Sequence, residues 1–201
     1  ALFNANNSKA AALNELPTAF DYIRLGHPLS CVLEWTIANL QHLKSEHVIS
    51  FSSKTIAILA ILRQNLLDNK NTKIAYTGDL PDFFDIKILK NVYGYKFELK
   101  QVEDIKDVSA FDGSTIFISQ QNEIGNTHLT PNIDFFINIY PDFGSIVLVN
   151  GEQNETYIPA IQHVRRRETI AMTPADCHAA LKLLIEKQGV NRKENGNTNK
   201  T

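Results

Sequence analysis

Two residues apart in "FDYIRLGHP" stand a phenol and a guanidinium, Tyr22 and Arg24, just before a Gly26-x-Pro28 turn. Together they can bind an anion, because a guanidinium offers a planar fork of donors to phosphate or carboxylate. They can equally be a solvated strand end. A second candidate is "SFSSKT" (50–55), which joins an apolar strand-like run to an apolar helix-like run. A helix N-terminus presents free N–H groups and a partial positive charge, so the backbone after Ser52 and Ser53 can receive a phosphate. A plain serine N-cap is the alternative. A third is "SQQNEIGN" (119–126), polar and with one glycine, after another apolar run. In open α/β sheets ligands bind beyond the carboxyl ends of parallel strands, where this segment would sit.

Other chemistries are poorly served. The six histidines (27, 42, 47, 128, 163 and 178) and two cysteines show no Cys-x-x-Cys or His-x-x-x-His spacing, so no zinc site is expected. Neither Gly-x-Gly-x-x-Gly nor Gly-Lys-Ser/Thr occurs. "VRRR" (164–167) reads as a solvated face, with a grip on phosphate or an acidic partner as the alternative. Cys177 opens a predicted helix, where the dipole favours a thiolate; the simpler reading is a buried, inert thiol.

These residues need elements to hold them. From Pro28 the spacing predicts a helix with Leu33, Ile37 and Leu40 on one face. Residues 47–53 read as a short buried strand, and 54–69, apolar nearly all round, as a central helix. Strands are predicted over 73–77, 95–102, 114–120 and 145–151. Helices are predicted over 80–94 and within 131–144, with a short helix or loop over 103–111. "ETIAM" (168–172) reads as a last strand. Thr173-Pro174-Ala175-Asp176 then starts a helix that stops at Gly189. Strand–helix alternation implies an α/β fold with a mostly parallel sheet and helices on both faces. Residues 1–21 read as an N-terminal arm, 22–188 as the domain and the polar, Asn-rich 189–201 as a disordered tail.

The bulk numbers fit such a domain. The chain has 201 residues, 43% hydrophobic and 21% charged, with a formal net charge of −2. That balance gives no reason to expect nucleic acid or an anionic membrane as partner. The longest apolar stretch, "TIAILAIL" (55–62), is too short to span a bilayer. Two cysteines make no disulfide framework and no secretion signal is read, so a cytoplasmic location is expected. Asn-x-Ser/Thr at Asn6, Asn154 and Asn199 is read as chance.

The order of the motifs carries more than any one of them. "YIRLGHPLSCVLEWTIANL" followed by "HVISFSSKTIAIL" resembles the pyridoxal-phosphate enzymes of cysteine and methionine metabolism, the cystathionine synthase and lyase family. That family reads roughly Y-S-R-x-G-N-P-x-x-x-x-L-E-x-x-x-A-x-L, then A-F-S-S-G-x-A-A. "QQNEIGN" lies where it has S-x-x-N-P-T, and "IVLVNGEQNETY" (146–157) where it has V-V-V-D-N-T-F-A-T-P-Y. The resemblance implies the large domain of a fold type I pyridoxal-phosphate transferase. It implies that Tyr22 and Arg24 bind the cofactor phosphate of a neighbouring subunit. It further implies that Ser53, Lys54 and Thr55 bind the phosphate of their own subunit, and that Asn122 and Asn150 line the cofactor.

This chain departs from the family at informative places. Asn150 replaces the aspartate that keeps the pyridine nitrogen cationic, so the electron sink is weakened. Pro81 stands where a tyrosine stacks on the ring, and Lys54 where the family has glycine. The Schiff-base lysine falls near Ala175 or Asp176. Without that amine there is no covalent attachment and no efficient general base. The expectation is a degenerate, shortened homologue with a binding or assembly role, its pyridoxal phosphate non-covalent or lost. Its partner would be a second copy or a full-length paralogue. The alternatives are an active carbon–sulfur lyase or transferase completed by another chain, and a non-enzymatic α/β interaction module.

Overall fold

The structure, a computed structural model, describes residues 23–125 and 127–197, with side chains through Lys187. The N-terminal arm and Tyr22 therefore lie outside the described residues. The first helix among the described residues, α1 (Pro28–Leu40), begins where the sequence places it. Proline fills the first turn, where its missing N–H costs nothing. His27 caps the helix by accepting from Ser30 N (3.1 Å), while His27 N donates to Ser30 Oγ (3.0 Å). Leu29, Leu33 and Ile37 are buried, but Leu40 is exposed, so the predicted stripe ends a turn early.

Strand β1 (Val48–Phe51) and helix α2 (Ile56–Leu67) match their predicted spans. Helix α2 closes on Asn69, whose φ of 53° is one asparagine tolerates, with Lys70 N donating to Asn65 O (2.8 Å). Then come β2 (Thr72–Tyr76), α3 (Ile86–Asn91), β3 (Phe97–Gln101) and β4 (Ser114–Gln120). The predicted helix over 80–94 thus shrinks to α3, capped by the Asp85 side chain on Ile88 N.

The sequence reading fails next. Residues 131–144 contain no helix but strand β5 (Phe135–Tyr140), which turns back into β6 (Gly144–Val149). Every residue of β5 is buried, and a strand covered on both faces loses the alternation that marks it. Helix α4 (Tyr157–Glu168) fills a segment left unassigned, and 168–172 is the end of that helix and a linker, not a strand. Helix α5 (Pro174–Asn197) starts at the predicted cap, with Thr173 Oγ1 accepting from Asp176 N (3.2 Å). It runs past Gly189 to Asn197, where a disordered tail was expected.

The six strands lie in the order β1-β6-β5-β4-β2-β3. The pairs β2–β3, β2–β4 and β4–β5 are parallel, while β6 runs antiparallel to both β1 and β5. The sheet is therefore mostly parallel. The carboxyl ends of β1 to β5 share one edge, and β6 begins there. Helices α2, α3 and α4 cover one face with Ile58, Ile61, Leu89, Tyr157 and Ile161. Helices α1 and α5 cover the other with Leu33, Ile37, Cys177, Leu181 and Leu184. Tyr157 donates from its hydroxyl to Asn65 (2.6 Å), which donates to Thr72 (2.8 Å), so these three polar side chains of the first core are paired. No helix among the described residues is long and apolar enough to cross a membrane.

Cys177 is fully buried in the second core, and burial pushes its thiol far above the usual range. Cys31 is exposed. A native protein is therefore expected to react through Cys31 alone with an aromatic disulfide reagent, the second thiol following only in denaturant. Two fast thiols in the folded state would contradict this burial.

Candidate functional site

The loop between β1 and α2 sits at the carboxyl edge of the sheet. Ser53 Oγ accepts from Ile56 N (3.1 Å) and Thr55 N (3.3 Å), so the serine occupies N–H groups at the helix start although Thr55 holds the N-cap position. Ser52 is turned to the linker after α4. Its N–H donates to Ile170 O (3.3 Å), and its hydroxyl lies 3.2 Å from Thr169 Oγ1. Ser145 donates from its hydroxyl to Ser53 O (2.6 Å), pinning the loop to β6. Lys54 is exposed and Thr55 half-buried.

The same linker holds the start of α1 at this edge, since Met172 O lies 2.8 Å from His27 Nε2. The turn carrying Arg24 precedes it, closed by Gly26 N donating to Ile23 O (3.1 Å). Arg24 is exposed and forms no ion pair with the described residues. Asn122, also exposed, lies in the loop after β4 at the same edge. Gln120 donates to Asp79 O and Gln101 to Gly78 O, both at 2.9 Å, which ties the ends of β2, β3 and β4 together. Beneath them Ser119 Oγ donates to Asn138 Oδ1 (2.9 Å), and Asn138 Nδ2 to Thr127 (2.5 Å).

The structure thus gathers Arg24, Ser53, Lys54, Thr55 and Asn122 along one edge. It does not bring Asn150 to them. Because β6 is antiparallel, Asn150 emerges at the opposite edge. There its amide donates to Ile133 O (2.7 Å) and Thr130 O (3.0 Å), bracing the entry to β5. That Asn150 lines the cofactor was what the resemblance of residues 146–157 implied. With β5 in place of a helix over 131–144 the chain reverses once more, and β6 carries the residue to the other end of the sheet.

Amines are spent elsewhere. Among the described residues the one buried lysine is Lys73. It lies near the amino end of β2, over the Phe111 ring (4.7 Å) and 3.7 Å from Glu98. Lys187 pairs with Glu123 (2.7 Å), which holds that carboxyl below the usual range, and Lys182 is exposed. No described cluster of His, Cys, Asp or Glu can hold a metal ion.

Sequence reasoning missed a buried ion pair. Arg165 Nη1 lies 2.7 Å from Glu34 Oε1, their side chains 7% and 16% exposed. Glu34 also accepts from Ser50 N (2.8 Å) and Ser50 Oγ (2.7 Å), while Arg165 reaches Ser50 O (3.3 Å). Ser50 is in β1, an outer strand, so the pair satisfies that strand's free edge. Two signals were present. Glu34 belongs to the "LEW" of the family-like block. Arg165 stands four residues after buried Ile161, on the inward face of α4, although it was read as part of a solvated run.

No protein-family model matches the chain, and no curated protein matches it. Among solved structures it resembles MetB from Corynebacterium glutamicum. The TM-score is 0.51 and the identity 15%, over 86% of this chain and 54% of that one. It also resembles cystathionine gamma-lyase from Lactobacillus plantarum, crystallised with L-serine. There the TM-score is 0.51 and the identity 12%, over 85% of this chain and 57% of that one. The shared property is the fold, which in this chain is a six-stranded α/β sheet flanked by helices. The chain spans about half the length of either structure.

Proposed function

We propose that the chain is a degenerate relative of the pyridoxal-phosphate trans-sulfuration enzymes that serves binding or assembly rather than bond-making. The observation that supports it is the closed serine loop. Ser53 spends its hydroxyl on Thr55 N and Ile56 N, and Ser52 is committed to residues 169–170. A phosphate at this helix N-terminus would compete with bonds already made. The residues present do not fit covalently held pyridoxal phosphate. The described amines at this edge, Lys54 and Lys187, are exposed or paired, and Asn150 is at the other edge. The cofactor is then bound without a covalent bond or lost. Exposed Arg24, with Tyr22 beside it in sequence, remains available to an anion of a second copy or a full-length paralogue.

The test is reduction with borohydride after equimolar pyridoxal phosphate, followed by intact mass. The expected result is no stoichiometric adduct at any single lysine. A one-to-one adduct on one lysine would overturn the proposal.

A further inference from the structure

The two outer strands of the sheet are treated differently. The free edge of β1 is capped by Glu34 and Arg165. The free edge of β3 has no such cover among the described residues. Val102 N donates to Tyr76 O (2.9 Å), so by the alternation of a strand residues 98, 100 and 102 turn their backbone groups toward β2. Phe97, Leu99 and Gln101 then turn theirs outward. An open row of N–H and C=O groups is a template for another strand.

We propose that β3 pairs antiparallel with β3 of a second copy of this chain, about a two-fold axis through Leu99. The charges select both occupant and register. Outward residues must face outward residues, which leaves few centres for a two-fold. Centring on Leu99 sets Phe97 against the partner's Gln101, and Glu98 against the partner's Lys100, with the same pairs repeated by symmetry. Centring on Glu98 sets carboxylate against carboxylate, and centring on Lys100 sets ammonium against ammonium. Glu98 and Lys100 are exposed on the face opposite Leu99, within reach of the partner strand, although Glu98 also lies 3.7 Å from Lys73 of its own chain. On the Leu99 face, α3 and the residues after it leave Ile88, Val92 and Tyr93 exposed beside the joint, apolar surface that a partner can cover. The result is one sheet continuous across both copies. This surface is at the other side of the sheet from the turn that carries Arg24, and the proposal stands whether or not a cofactor binds.

Sedimentation equilibrium on the full chain tests it, with hydrogen exchange as a second readout. The expected mass is twice the 22.6 kDa of one chain. Lys100→Glu, which sets like charges opposite each other, is expected to raise the dimer dissociation constant about tenfold to a hundredfold. Adding Glu98→Lys to it restores opposite charges and the dimer. The amides of Phe97, Leu99 and Gln101 are protected in the wild type and exchange fast in the folded Lys100→Glu variant. A monomeric wild type, a dimer indifferent to Lys100→Glu, or a folded double variant that stays monomeric overturns the proposal. So does a dimer lost with Arg24→Ala alone.

Discussion

Glu34→Ala is expected to cost about 3–5 kcal/mol of folding free energy, the usual penalty for removing one partner of a buried ion pair. The reason lies in what remains. Arg165 would stay nine-tenths buried with no carboxylate, and its Nε already lacks a partner. Ser50 would lose the acceptor for both its N–H and its hydroxyl. Arg165→Ala fails from the other side, leaving Glu34 charged against the Ser50 hydroxyl and no donor on Ser50 O. The double variant is expected to lose much less than the sum, because the stranded charge is the main penalty. Urea unfolding of the four proteins measures this, with a shifted midpoint and an unchanged slope. The single variants are also expected to aggregate more readily, since they uncover the edge of β1. A loss under about 1 kcal/mol would mean that the pair behaves as a solvated surface contact.

The same pair shows what the sequence made legible. Periodicity placed α1, α2, β1, β2 and β4 nearly as they stand, because each has a buried stripe or run bounded by a cap, turn or polar loop. It failed at β5, whose two buried faces remove the period, and there the error propagated. The misread reversal hid that β6 runs antiparallel, while the placing of Asn150 in the cofactor site came from the resemblance and not from periodicity. The resemblance to the cystathionine enzymes, drawn from about Tyr22 to about Thr173 with its most specific block first, is matched by solved structures at the level of the fold. The Arg165 role was hidden for a different reason. In "VRRR" all three arginines look alike, and only the position of Ile161 relative to the sheet separates the buried one from its exposed neighbours. Ser53 shows the limit of a motif: the same serine reads as a phosphate cradle or an N-cap until its hydroxyl partner is seen.

Gly144→Ala is expected to destabilise the protein by about 3–5 kcal/mol, through left-handed strain and overpacking together. Gly144 opens β6 with a φ of +109°, and a Cβ there would press into the carbonyl oxygens of Phe51 and Ser52. Both atoms are backbone and cannot swing aside as a side chain would. The close approach is what lets Ser145 reach Ser53 O and lets Ser52 meet Ile170, so the serine loop is set by this contact. Gly78→Ala supplies the comparison. It also has a positive φ, +67°, but a Cβ there meets nothing within 4 Å. Its cost is expected to be about 1–2 kcal/mol, the penalty of the left-handed conformation alone. The difference between the two losses, measured by urea unfolding, therefore reports the clash together with the extra strain of a φ of +109° over one of +67°. Equal losses would mean that the β1–α2 loop yields without cost. A loop that yields could open its helix N-terminus to a phosphate, which would remove the main support for a non-catalytic role.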